Sequence, residues 1–421
     1  MEPKEKQSLS LKKSVIGPTP EDWDVVRLGD PRITTFTPNK VVSNYEMMAF
    51  IPMDKIPDSG IYTTYEMRPK NEVKSGVYCE AGNLLLAKIT PSLENGKQGI
   101  VPRDVPHGFA IATTEVFPIK CVGIDTLFCF YILKHRRFRQ VLINSMIGAT
   151  GRQRVPKTAV SNLIIPLPPL PEQKRIAEVL RTVDEAIEKV EQEIDHTERL
   201  KKGLMQRLLT HGIGHTRFKD SPLGKIPEDW EVVRLGDSRF FNLIMGQSPP
   251  SSTYNKEGIG LPFLQGCAEF GKMYPKPTTY CSSPIKVAKH GDILISVRAP
   301  VGEVNLAAMD LCIGRGLAAL RANRQVVDTH FIYYFFLRFK RLLQNRSSGS
   351  TFKAITKADI ENFLIPLPPL PEQKKIAEIL MTVDRKIELL KNKKNHLERL
   401  KKGLMNDLLT GRRRLKVVSK V

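Results

Sequence analysis

The feature that most constrains this chain is a long internal repeat. IPLPPLPEQK occupies positions 165–174 and returns unchanged at 365–374, and ERLKKGLM occupies 198–205 and returns at 398–405. Near the start of each half, PEDWDVVRLGD (20–30) is matched by PEDWEVVRLGD (227–237). The first two segments are displaced by 200 residues and the third by 207, so the halves share their ends and differ slightly in the length of their middles. Residues 31–160 and 238–360 have little in common, apart from a glycine-led apolar stretch at 82–88 and 291–297. A period this long excludes a solenoid of short repeats. It points to duplication of one unit, a variable globular domain followed by a fixed helical segment.

The fixed segment reads as a long helix. Pro168, Pro169 and Pro171, with Pro368, Pro369 and Pro371 in the second copy, suit the approach to a helix and its first turn but not its interior. Glu172 and Glu372 then sit near the positive end of the helix dipole. Apolar residues follow with a seven-residue period, the a and d positions of a coiled coil. In the first copy they are Ile176, Leu180, Val183, Ile187, Val190 and Ile194, continuing to Leu204 and Leu208. In the second they are Ile376, Leu380, Val383, Ile387, Leu390 and Leu397, then Leu404 and Leu408. Gly212 and Gly411 are stop signals. About 40 residues at 1.5 Å each make a rod of roughly 60 Å. An apolar stripe of that length needs a partner, and the nearest equal one is the other copy.

The expected fold class is therefore α+β: two mixed α/β domains separated by two long helices, packed as an antiparallel intramolecular coiled coil with a pseudo-twofold. The expected division is a first head domain over 1–164, a central spacer over 165–213, a second head domain over 214–364, and a C-terminal spacer with a basic tail over 365–421. Within the domains, 84–89, 108–113, 293–297 and 316–320 read as strands, and 128–139 and 331–343 as amphipathic basic helices.

Charge narrows the partner. Lys and Arg number 65 against 44 Asp and Glu, a formal net charge of +21. That balance favours a polyanion, because neutralised phosphates release counterions. No run approaches the length of a membrane span and the polar start MEPKEKQSLSLKK is unlike a signal peptide, so a cytoplasmic location is expected. The six cysteines (79, 121, 129, 267, 281 and 312) form no Cys-x-x-Cys pair, which suggests neither a zinc site nor a disulfide framework.

Enzymatic signatures are sparse. The sequence has no phosphate-binding P-loop, no H-E-x-x-H pair and no Asn-Pro-Pro-aromatic segment. His211 and His215 are four apart, but Gly212 and Gly214 interrupt them, so they read as linker. Pro57-Asp58 followed by Glu72-Val73-Lys74 formally fits a magnesium-dependent nuclease pattern, although Pro57 to Gly60 reads as a turn rather than a strand. No catalytic or metal-binding residue is assigned, and the expectation is a non-catalytic chain. Candidate DNA contacts are Lys88, Lys97, Gln98, Arg152 and Arg154 in the first domain and Gln247, Arg298, Arg315 and Lys353 in the second. Gly148 and Gly349 precede two of these clusters and permit close backbone approach to phosphate. The run Arg412-Arg413-Arg414-Leu415-Lys416 suits either a DNA or partner contact or a solvated tail. A nuclease, or a coiled-coil scaffold with two protein- or RNA-binding heads, are the alternatives to DNA recognition.

The duplicated IPLPPLPEQKRIAEVL and IPLPPLPEQKKIAEIL, the PEDW opening each half, LLLAKITPSLENGK (84–97) and GDILISVRAPVGEVN (291–305) together resemble specificity subunits of type I restriction–modification systems. The resemblance covers nearly the whole chain. It implies two target-recognition domains, each reading half of a split double-stranded DNA site. It also implies helices that set the gap and dock modification subunits, with restriction subunits joining through the complex. S-adenosylmethionine, ATP and magnesium would then belong to partner subunits, with no cofactor in this chain. Little similarity joins the two middles, so the resemblance does not carry the target sequence with it.

Overall fold

The computed structural model describes residues 11–40, 42, 45–344 and 354–415. They fall into a first compact unit, drawn from 1–191 and 392–421, and a second, drawn from 192–391. Each unit therefore takes its head from one half of the sequence and helical segments from both.

In the first unit an antiparallel sheet runs in the order Thr34–Phe36, Val116–Cys121, Leu84–Ala87, Gln98–Ile100. A second sheet runs Glu66–Pro69, Met47–Ile51, Phe109–Ala112, Val77–Glu80, with the middle pair parallel. Leu84–Ala87 is apolar at every position because both its faces are covered. Leu84 and Leu86 pack with Phe128, Leu133, Ile176 and Leu180, while Leu85 joins Ala49, Ile51, Cys79 and Ala110 on the other side. Strand alternation thus serves two cores from one segment.

The second unit repeats this topology. One sheet runs Phe241–Met245, Leu317–Ala322, Ile293–Ser296, Val304–Leu306. The other runs Thr279–Cys281, Leu261–Leu264, Leu311–Ile313, Val287–Ala288, again with a parallel middle pair, and Tyr254–Asn255 added beside Thr279–Cys281. Ile293 and Ile295 face one core and Leu294 the other. Two middles with little sequence in common have folded alike.

The four strands expected in the heads are present, at Leu84–Ala87, Phe109–Ala112, Ile293–Ser296 and Leu317–Ala322. The helix expected over 128–139 is instead two, Thr126–Lys134 and Arg136–Asn144. His135 is extended (φ −67, ψ 129) and caps both, its ring accepting the Arg137 N–H. Nor is Thr126–Lys134 amphipathic: Phe128 through Leu133 are buried without interruption, which makes it an interior helix. Its counterpart Thr329–Gln344 buries Phe331 through Phe336 in the same way.

The shared segments form the framework. Ile164–Leu167 pairs antiparallel with Asp24–Arg27, and Leu364–Leu367 with Glu231–Arg234. The repeated IPLPPL stretches therefore meet the repeated PEDW stretches, which is why both recur. The long helices Leu170–His211 and Leu370–Leu408 follow, of 42 and 39 residues. In the first unit Asp184 pairs with Lys401, and Glu191 with Lys394 at 2.7 Å. In the second unit Lys201 pairs with Asp384 at 2.9 Å and Lys391 with Glu198 at 2.7 Å. Rising numbers on one helix meet falling numbers on the other, so within each unit the segments run antiparallel.

Of the heptad positions, Ile176, Leu180, Val190, Ile376, Leu380, Ile387 and Leu390 are buried. Val183, Ile187, Ile194, Val383 and Leu397 are half-buried. Ile176 and Leu180 share a core with Met405, Leu408 and Leu409, as Ile376 and Leu380 do with Met205, Leu208 and Leu209. Among the described residues no helix is long and apolar enough to cross a membrane.

Candidate nucleic-acid interface

Each head is fixed to its helix by the same joint. In the first unit the indole of Trp23 is fully buried and donates to Glu172 at 3.1 Å. The Gln173 amide accepts from the Asp125 N–H (2.8 Å) and donates to the Pro168 carbonyl (2.8 Å), tying the helix start to the cap of Thr126–Lys134. The Tyr131 hydroxyl donates to Asp184 at 2.8 Å. In the second unit Trp230 donates to Glu372 (3.0 Å), Gln373 accepts from Asp328 N–H (2.7 Å), and Tyr334 donates to Asp384 (2.7 Å). Burial, with the adjacent carboxylate, pushes both tyrosine hydroxyls well above their ordinary pKa, so they remain neutral donors. The Glu-Gln pair inside PLPEQ is thus a docking device.

The joint closes differently in the two units. Arg414 spans Asp22 (2.7 and 2.8 Å) and Glu172 (2.7 Å) in the first, and the Arg414 guanidinium holds the Asp22 carboxyl below its usual range. In the second, His215 meets Glu372 at 2.9 Å. The basic run at 412–416 is therefore not simply a solvated tail, because Arg414 is engaged; Lys416 lies outside the described residues. His211 ends its helix at Gly212, which has φ +66, in keeping with a linker.

In the second unit three sequence candidates come together on one rim. Gln247 N–H donates to the Ile313 carbonyl (3.0 Å), and Gly246 N–H donates to Leu317 (2.9 Å). Gly316 donates to the Gln265 carbonyl (3.1 Å), while its own carbonyl accepts from Val297 (2.9 Å), next to Arg298. A Cβ on Gly316 would lie 2.5 Å from the Gln265 carbonyl oxygen, so only glycine lets these strand ends approach. Gln247, Arg298 and Arg315 are all exposed there, and neither arginine has a carboxylate partner among the described residues. Lys353 lies outside the described residues.

The first unit has the matching rim in another chemistry. Lys88 N–H donates to the Glu115 carbonyl (3.0 Å), and the Lys88 carbonyl accepts from Val155 (2.8 Å). Arg154 grips the Glu115 carboxylate at 2.8 and 3.0 Å and holds it below the usual carboxylate range, with Lys88 adding to the effect. Lys88 lies 5.3 Å over the Phe117 ring, Lys157 lies 4.5 Å over Phe36, and Arg152 is exposed nearby in sequence. Gly148 has a positive φ (+124), and Gly349 lies outside the described residues.

Two candidates do not belong to this rim. Gln98 is fully buried, donating to the Phe130 carbonyl at 2.7 Å and accepting from Arg139. Lys97 caps the carbonyls of Met53 (3.0 Å) and Ile56 (2.9 Å). Both hold the head together from within, and their reading as DNA contacts is corrected. The nuclease pattern fares similarly: Asp58 sits in a bend and Glu72 in a 3-10 turn, not on adjoining strands. Among the described residues no three His, Cys, Asp or Glu side chains are grouped to hold a metal. Sequence reasoning did not single out Glu115, whose position depends on strand pairing and carries no local motif, and it left Arg414 open between a DNA or partner contact and a solvated tail.

The sequence model of the type I restriction modification DNA specificity domain matches residues 20–198 and 227–399. The chain is 41% identical over 419 residues to the provisionally named MjaX type I restriction enzyme specificity subunit of Methanocaldococcus jannaschii, covering 97% of each. It is 30% identical to the MjaVIII specificity subunit of the same organism, covering 94% of each. The solved HsdS subunit from Thermoanaerobacter tengcongensis is 31% identical, with 93% of this chain and 98% of that one covered and a TM-score of 0.50. A chain from structural work on assembly and conformational transition of the type I restriction–modification system is 30% identical, with 93% and 99% covered and a TM-score of 0.59. Both copies of the repeat fall within the match, and this chain belongs to the family of type I restriction–modification DNA specificity subunits.

Proposed function

We propose that this chain recognises a bipartite double-stranded DNA site, one half through each head, and leaves the chemistry to its partners. The observation that carries the reading is the rim of the second unit, where Gln247, Arg298 and Arg315 come from three segments and neither arginine is ion-paired among the described residues. Arginine and glutamine present the donor and acceptor pairs that base edges require. Lys88, Arg152 and Arg154 take the equivalent part in the first unit. The heptad residues 176–194 and 376–397 pair the helices and so fix the gap. The domain boundaries 164, 213 and 364 separate reading heads from spacers, and Lys353 extends the second rim. Exposed helix surface docks methyltransferase (modification) subunits, with restriction subunits joining through them, in the cytoplasm.

The test is DNA binding by the complex reconstituted from this chain and its neighbouring modification subunit. Binding to one split sequence should exceed binding to unrelated duplexes by about a thousandfold or more, and should weaken steeply with salt. Equal affinity for all duplexes, or unchanged specificity without this chain, would contradict the proposal.

A further inference from the structure

Resting on that reading of the second unit as a DNA-contacting head, we propose that Gln265 and Arg315 are base-reading residues on the walls of a groove that admits base edges and rejects phosphate. The groove is lined by Ser248, Tyr254, Phe263, Gln265, Glu269 and Arg315, among others. Tyr254 and Phe263 stack at 4.5 Å and give it an apolar wall. Ser248 organises the polar side: its hydroxyl lies 3.0 Å from Gln265 Oε1, accepts from Gln265 Nε2 at 2.9 Å, and accepts the Arg315 N–H at 3.2 Å. One hydroxyl thereby orients the carboxamide and the backbone that carries the guanidinium.

The charge decides between phosphate and base. Glu269 lines the same groove, its carboxylate fixed by the Thr278 N–H (2.8 Å) and hydroxyl (2.7 Å). That carboxylate disfavours a phosphate in the groove, because like charges repel. A base edge has no net charge, and an aromatic wall offers contact to a thymine methyl. Arginine pairs bidentately with guanine, while the Gln265 carboxamide, with Oε1 and Nε2 both on Ser248, keeps its second N–H and a second lone pair for an adenine edge. The groove therefore fits a guanine and an adenine in the half-site of the second unit. In the first unit, strand register places Thr114 where Arg315 stands, so this discrimination belongs to one half-site alone.

The experiment is to map methylated motifs in cells carrying the full chain with its modification subunit, wild type against Arg315→Ala, Gln265→Ala and Arg315→Lys. Arg315→Ala should lower discrimination for guanine at one position by about ten- to a hundredfold, and Gln265→Ala likewise for adenine, with the other half-site intact. Arg315→Lys keeps the charge but loses the bidentate fork, so it too should relax the guanine position. An unchanged motif in the alanine variants, or full restoration by lysine, would overturn the groove assignment while leaving recognition by the chain standing. A wild-type motif that persists when the chain is deleted would overturn the reading on which it rests.

Discussion

The two units agree in how each head is held and differ in what it presents. Trp23–Glu172, Gln173–Asp125 and Tyr131–Asp184–Lys401 in the first correspond residue for residue to Trp230–Glu372, Gln373–Asp328 and Tyr334–Asp384–Lys201 in the second. The rims share only their backbone geometry. Where the first unit has Glu115 gripped by Arg154, the second has Gly316 close to Arg298, which has no ion-pair partner among the described residues. A joint is constrained by burial and hydrogen bonding, which tolerate few solutions. A rim is constrained by its ligand, and two different half-sites call for two chemistries.

The largest expected effect tests the joint. Trp23→Ala and Trp230→Ala each empty a fully buried site and remove the indole N–H from a shielded carboxylate, and should cost about 3–5 kcal/mol apiece by thermal or denaturant unfolding. Similar losses in both units would support a common joint, and a near-neutral result in either would break the correspondence. Next, Asp184→Ala and Asp384→Ala leave a buried tyrosine hydroxyl and a shielded lysine without their acceptor, at about 1–3 kcal/mol each. The two values should agree to within about 1 kcal/mol.

A smaller effect separates the clasps. Arg414→Ala removes the cation from Glu172, which is 2% exposed, and should lower the melting temperature at neutral pH. Because Arg414 depresses the Asp22 pKa below its ordinary 3.8, the stability from that contact is present above pH 3.8 and is lost as the pH falls through the depressed value. The gap between wild type and Arg414→Ala should therefore narrow only in acid, in a melting series against pH. A gap that closed near neutrality would contradict the ion-pair account.

The smallest stability effect belongs to the rim. Glu115→Gln breaks an exposed ion pair and should leave the melting temperature essentially unchanged. It releases Arg154, so the base preference of the first half-site should shift while that of the second stays the same. A change in both halves, or in neither, would blur the distinction between the rims.

Much of this was legible in the sequence. Repeats and heptads report directly on long helices, because periodicity is a local signal. The apolar runs at 84–87 and 293–295 report on strands in the same local way, because burial on both faces leaves no polar position there. The common topology of the heads was not legible, since it rests on strand pairing rather than on residue identity. The interior helix Thr126–Lys134 was misread as amphipathic because the basic residues after His135 belong to a second helix, Arg136–Asn144. Gln98 and Lys97 were misplaced for a related reason. A polar side chain beside a strand looks exposed in sequence, yet here it satisfies carbonyls inside the head. Arg414 stands in a run of charge, and only the fold reveals its carboxylate partners.

The most direct test of the central claim is genome-wide methylation mapping in cells carrying this chain with its modification subunit, against cells lacking this chain alone. A split, asymmetric methylated motif that disappears with the deletion is the expected result. An unchanged methylation pattern, with the modification subunit shown to be active, would contradict it.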